Sequence, residues 1–170
     1  MIVDVVVDVE ADGQCPGLYS MVSFGAAWNG GGYYSGVIRP LSNARWDPAA
    51  LAISGVTREE QLAGRASNAA MYEFSDVLRK TFSDDVRLVF WSDNLAFDWQ
   101  FINYYFYMTL QTNPFGHSGR RIGDLYAGIK GDIRAASKWK SLRDTKHTHH
   151  PLEDAYGNLE ALNKIKEMIA

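Results

Sequence analysis

Residues 1–10 read MIVDVVVDVE, and they constrain the fold more than any other stretch of the chain. Val5, Val6 and Val7 are β-branched and run unbroken into the triplet Asp8-Val9-Glu10. A short, nearly continuous apolar run predicts a strand buried on both faces, hence central in a sheet. Side chains two apart on an extended chain point the same way, so Asp8 and Glu10 share a face. At ~4 Å and an effective dielectric near 20, such a like-charge pair costs about 4 kcal/mol. A core strand ending in two parallel carboxylates therefore calls for a cation. The plainer alternative puts Glu10 in a solvated turn with Asp8 capping it, and this stretch alone does not choose.

The 170 residues suffice for one domain with a proper core, and a single domain over 1–170 is expected. With 46% hydrophobic and 13% aromatic residues, the chain is not disordered. Met1 leads directly into the first strand, so no signal peptide is expected, and no apolar run approaches a membrane span. The one cysteine, Cys15, fits a reducing compartment, and a cytoplasmic location without membrane contact is expected. The net charge of −3 argues weakly against nucleic acid as a partner, but it is unevenly spread. Residues 120–150 hold eight Lys or Arg against three Asp, a local +5, which leaves −8 for the rest. Arg134, Lys138, Lys140, Arg143 and Lys146 are thus candidates for phosphate contact, with a solvated loop as the default reading.

Along the chain, a loop over 11–17 closes in Cys15-Pro16-Gly17 and leads to a second strand within 18–28. Asn29-Gly30-Gly31-Gly32 predicts a hairpin into a third strand, Tyr33 to Arg39. Residues 40–66 read as a linker with short helical turns. Ser67 is the expected N-cap of a helix to about Phe82 that turns Met71, Phe74, Leu78 and Phe82 to one side. Val86 to Trp91 repeats the buried-strand pattern. A helix follows, with Phe97, Phe101, Tyr105 and Met108 at core spacing, ended by Asn113-Pro114. A fifth short strand is expected over Arg121 to Leu125, then an aperiodic basic stretch, then a last helix from Pro151. Three strands joined by tight turns, followed by alternating strand and helix, predict an α/β fold of the ribonuclease-H-like order: a mixed five-stranded sheet flanked by helices.

Two later acids stand out. Asp98 ends Asn94-Leu95-Ala96-Phe97-Asp98, in the first turn of a helix, where a carboxylate also suits the dipole. Asp154 falls among apolar positions of the last helix, where an unpaired acid is unwelcome, and His149 precedes it by five residues. Asp124 reads as structural, and His117, beside Gly116, as solvated.

Together these stretches resemble the DEDDh 3′–5′ exonuclease family, over nearly the whole chain. Asp8-Val9-Glu10 is similar to its first motif, Asn94 to Asp98 to its N-x-x-F-D motif, and His149 to Asp154 to its third. The resemblance implies that Asp8, Glu10, Asp98 and Asp154 hold two Mg²⁺ or Mn²⁺ ions, the oxygen-loving cations that suit an all-carboxylate set. It implies that His149 is the general base for the attacking water. Catalysis would release 5′-monophosphates from the 3′ ends of single-stranded RNA or DNA, and a homodimer is expected by analogy. The implied substrate contacts are Asp12, Gly13 and Leu18 in the first loop, Asn94 and Phe97 in the second motif, and Arg143 and Lys146 in the basic stretch. Asp12 stands where the family often has a hydroxyl, and Pro151 where Ala is common.

Other classes are weighed against this. A non-catalytic nucleic-acid-binding or assembly module of the same fold would show no metal-dependent release of mononucleotides. A metal-dependent nucleotide phosphohydrolase would prefer nucleotides to oligonucleotides. A zinc or nickel site at His147, His149 and His150 ranks below the general-base reading, because no cysteine accompanies them and adjacent histidines do not easily share an ion. His149 is favoured by its spacing from Asp154, with His150 expected to point elsewhere and His147 expected on the mobile loop.

Overall fold

The computed structural model describes residues 1–169. Five strands form one sheet: β1 (Ile2–Ala11), β2 (Met21–Trp28), β3 (Gly32–Val37), β4 (Arg87–Ser92) and β5 (Gly119–Arg121), in the order β3-β2-β1-β4-β5. The β1–β2 and β2–β3 pairs are antiparallel, while β1–β4 and β4–β5 are parallel, so the sheet is mixed as expected. The valine run lies at its centre, and Val5, Val6 and Val7 expose nothing. Burying each contributes roughly 1.5–3 kcal/mol.

Alternation along β1 splits the core in two. Val5, Val7 and Val9 pack with Phe74 of α3 (Ser67–Thr81) and with Phe101 and Phe106 of α4 (Leu95–Leu110). Val6 packs on the other side with Trp91, Trp139 and the apolar positions Ala155, Leu159 and Leu162 of α6 (Pro151–Glu167). Asp4, Asp8 and Glu10 share the parity of Val6 and turn toward α6, and Asp4 pairs with Lys166 of that helix. Strand β2 meets α6 at Gly25, which stands opposite Asp8 in the ladder. A Cβ on Gly25 would lie 2.4–2.5 Å from main-chain atoms of Pro151 and Leu152, so the first turn of α6 rests directly on the strand.

Several boundaries differ from expectation. The 40–66 stretch contains α1 (Pro48–Ile53) and α2 (Arg58–Ala63), the latter opened by a capping box between Thr57 and Glu60. Ser67 is the first helical residue of α3, not its cap. Arg65 is still tied by backbone bonds to Val37 and Arg39, which keeps the chain extended up to Ala66. Helix α4 stops at Leu110, before Asn113-Pro114, because Gln111 takes a left-handed conformation. The expected strand over 121–125 is confined to Gly119–Arg121, and Ile122 opens α5 (Ile122–Lys130). That helix buries Ile122 and Ala127 and brings Gly123 against the Ala136 carbonyl, where a Cβ would lie 2.3 Å from the oxygen. The aperiodic basic stretch forms two 3₁₀ turns, Ile133–Ala135 and Lys138–Leu142, the second burying Trp139. Among the described residues, no helix is long and apolar enough to cross a membrane.

Candidate active site

The four acids come from three elements. Asp8 and Glu10 lie near the end of β1, just before its ladder with β2 shifts register between Glu10 and Ala11. Bulges of this kind re-aim side chains at strand ends. Asp98, 3% exposed, accepts a hydrogen bond from the Val9 amide at Oδ1 (3.1 Å), so the first turn of α4 is pinned between the two β1 acids. Its Oδ2 is buried with no hydrogen-bond partner. Asp154 is fully buried in the first turn of α6.

Crowding shows in their proton affinities. Burial pushes the Asp8 carboxyl well above the ordinary carboxylate range, and Asp98, Asp154, Glu10 and Asp93 push it further. Burial and then the Asp154 charge raise Glu10 to about 7. Burial raises Asp98 to about 8, against the opposing pull of the Val9 amide. Oxygen-only donors, mutual repulsion and the orphaned Asp98 Oδ2 together fit a divalent cation. Among the described residues, no three such side chains already converge as a finished cage. Asp154 explains part of this, because both of its oxygens are engaged. Oδ1 accepts from Arg143 Nη2 (2.7 Å) and the Thr148 amide (3.2 Å), and Oδ2 from the His149 amide (2.9 Å) and faces His147 Nδ1 (2.9 Å).

His149 sits at φ +60°, a left-handed conformation that costs on the order of 1–3 kcal/mol for a non-glycine residue and persists only where neighbours impose it. Its amide is held by Asp154, and its half-exposed ring presents Nδ1 to Glu10 Oε1 at 3.5 Å. His150 is exposed at the N-cap of α6. His147, expected on the mobile loop, also reaches the site. It contacts Asp154 and packs edge-on against His149, with ring centres 4.3 Å apart.

Among solved structures, the nuclease domain of 3′hExo, a DEDDh family member bound to rAMP, aligns with a TM-score of 0.77 and 14% identity over 97% of this chain and 92% of that one. Escherichia coli exonuclease I in complex with a dT13 oligonucleotide aligns at 0.70 and 16% identity over 98% of this chain and 41% of that one. At such identities these show the fold. No family model matches. The sequence relation comes from the 3′-5′ DNA exonuclease Cap18 of Escherichia coli, 33% identical over 163 residues, which span 94% of this chain and 84% of the relative. The chain belongs to the DEDDh 3′–5′ exonuclease family.

In this DEDDh exonuclease the remaining site expectations fall out unevenly. Leu18, Asn94 and Lys146 are exposed, and Phe97 is partly exposed against Phe101. Gly13 is buried against the Tyr19 ring, where a Cβ would lie 2.1 Å from ring atoms. Asp12, expected to touch substrate, is instead fully buried. It accepts from the Ser20 amide (2.6 Å) and Gln61 (2.9 Å) and pairs with Arg58 (3.4 Å), fastening the first loop to α2. Arg143, expected on phosphates, has a side chain only 6% exposed and paired with Asp154. Lys140 and Arg134 are paired with Asp93 and Asp132, so the basic stretch is less free than its charge suggests. Ser92 and Asp93, directly before Asn94, were missed by sequence reasoning. Ser92 lies buried beside Asp98, and Asp93 adds its charge to Asp8 and Asp98. Their position directly before the second motif is the signal that was there to find.

The raised acids make a stability prediction. Glu10 and Asp98 titrate above their ordinary 4.5 and 3.8, so metal-free folding is favoured at pH below those values and weakens as pH rises toward about 7 and about 8. The melting temperature in a chelator is expected to fall between about pH 5 and pH 8, and Mg²⁺ or Mn²⁺ to restore it most at the alkaline end. A chelated protein whose melting temperature is level or rising over that range would contradict the crowded-acid site.

Proposed function

We propose that this exonuclease removes nucleotides one at a time from the 3′ end of single-stranded DNA, releasing 5′-monophosphates, with His149 as general base. The observation that carries the reading is the meeting of the β1 acids with Asp98 and Asp154, and of His149 Nδ1 with Glu10 at 3.5 Å. DNA is preferred over RNA because the 33%-identical relative is named a DNA exonuclease. A single strand is preferred because a fold neighbour is described with dT13.

Asp8, Glu10, Asp98 and Asp154 would hold two divalent ions, Mg²⁺ or Mn²⁺, whose chemistry when bound is to stabilise the attacking and leaving oxygens of an in-line displacement. His149 takes the proton of the attacking water, its left-handed backbone fixed by the Asp154 carboxylate. Asp98, anchored on the Val9 amide, keeps the start of α4 in register with β1. Leu18 and Phe97 offer apolar surface for the terminal base, and Asn94 and Lys146 offer polar contact to sugar and phosphate.

An end-labelled ladder assay on matched DNA and RNA, with Mg²⁺ or Mn²⁺, tests this. Stepwise shortening from a free 3′-hydroxyl is expected, faster on DNA, abolished by chelation and resisted by 3′-phosphate ends. Circular strands cut as quickly as linear ones would make the enzyme an endonuclease and end the reading. Faster hydrolysis of free nucleotides than of oligonucleotides would favour a phosphohydrolase.

A further inference from the structure

We propose that Arg143 is a positioning residue for Asp154, seated in a slot that Gly157 leaves open on α6, and that it locks both the carboxylate and the histidine-bearing segment in their working places. The inference rests on the reading of Asp154 as a metal-holding acid. Arg143 lies in the basic stretch but behaves unlike its neighbours. Its side chain is 6% exposed, and every nitrogen of the guanidinium has an acceptor. Nη2 donates to Asp154 Oδ1 (2.7 Å) and the Lys146 carbonyl (3.4 Å), Nη1 to Asn158 Oδ1 (3.2 Å), and Nε to the Thr145 carbonyl (3.1 Å).

Asp154, Gly157 and Asn158 are spaced i, i+3 and i+4, so they share one face of α6. A Cβ at Gly157 would lie 2.5 Å from Arg143 Nε, 2.6 Å from Nη2 and 2.8 Å from the Thr145 carbonyl. The missing side chain therefore lets a planar guanidinium lie against the helix, a shape that a lysine ammonium does not reproduce. The contacts act on two parts of the site at once. Arg143 and the Thr148 amide claim Oδ1, which leaves Oδ2 on the side of His147 and the His149 amide. The carbonyls of Thr145 and Lys146 are clasped by the same guanidinium, directly before the segment that carries His149. With every nitrogen bonded to an acceptor and its side chain buried, the guanidinium is turned to the protein rather than to a substrate phosphate.

The test compares Arg143→Met, Arg143→Lys and Gly157→Ala with the parent. Mn²⁺ binding is measured without substrate, by calorimetry and electron paramagnetic resonance. Turnover and KM on a labelled oligonucleotide are measured across salt concentrations. Losing a residue that orients a metal ligand lowers metal affinity about 10–100-fold, and Arg143→Met and Gly157→Ala are each expected to do so. They are expected to lower kcat by a similar factor and to leave KM and its salt slope unchanged, with Arg143→Lys in between. If Arg143→Met does not fold, Arg143→Lys and Gly157→Ala carry the comparison. A raised KM with a flattened salt slope would make Arg143 a phosphate contact and overturn the proposal. A lowered melting temperature with unchanged Mn²⁺ affinity and kcat would reduce it to a structural tie and overturn it equally. A parent that binds no Mn²⁺ would overturn the metal reading of the acids together with this inference. Variants that bind as well as a binding parent would overturn this inference alone.

Discussion

Asp8→Asn is expected to abolish hydrolysis while leaving the protein folded, and in a chelator at pH 8 to melt no lower than the parent. Asp8 stands at the centre of the acid cluster, because Asp98, Asp154, Glu10 and Asp93 all act on it and burial acts on it most. The amide keeps the shape of the side chain and removes one charge from a set that repels itself. What stabilised the parent under these conditions was therefore not the Asp8 carboxylate. The same change removes a donor that any cation at this site would need, so the rise in melting temperature on adding Mg²⁺ or Mn²⁺ is expected to shrink or vanish. Two measurements decide it: release of nucleotide from an end-labelled strand, and thermal melts with and without the metal. Hydrolysis at more than a trace of the parental rate would mean that the chemistry lies elsewhere, whatever the melts show.

His149→Ala is expected to lower turnover roughly 10²–10⁴-fold, the usual effect of losing a general base, with metal affinity preserved. The geometry separates the three histidines more sharply than their spacing does. His149 faces Glu10. His150 is exposed at the N-cap of α6 and is expected to stay within about tenfold of the parent when replaced. His147 lies on Oδ2 of Asp154, the oxygen that also accepts from the His149 amide, so its replacement is expected to show in metal affinity rather than in the chemical step alone. Single-turnover rates at saturating metal, paired with metal titrations of each variant, separate these effects. Equal losses at all three, moving in step with metal affinity, would instead favour an imidazole metal site.

That these acids come together was legible in the sequence because the candidate set needs few residues at short, fixed spacings. Asp8 and Glu10 are two apart on a strand that had to be central, and Asp98 and Asp154 fall in the first turns of α4 and α6. What stayed hidden depends on partners far away along the chain. Asp12 looked like a loop acid, but α2 supplies Arg58 and Gln61 to bury it. Arg143 looked like one more cation in a basic run, and only the face of α6 carrying Asp154, Gly157 and Asn158 shows why it is buried. The 122–125 stretch, too short to show its period, became helix once Gly123 could close on Ala136. His147 differs from His149 in sequence only by position, and its contact with Asp154 follows from how the 145–150 segment folds back on α6.

At Gly25 the strand beside Asp8 and the first turn of α6 touch main chain to main chain, with no side chain between them. Packed side chains can change rotamer and give way, whereas two abutting backbones act as a stiff spacer. The span between the acids of β1 and the acid of α6 is thus gauged by hard contact and has little breathing room. A small cation such as Mg²⁺ takes its oxygens at about 2.0–2.1 Å in a nearly fixed octahedron, while Ca²⁺ takes them at about 2.3–2.6 Å in looser arrangements. If the acids hold a cation as proposed, a jaw of constant width would suit the first habit and strain against the second, and Gly25 would then act on ionic radius without touching ion or nucleotide.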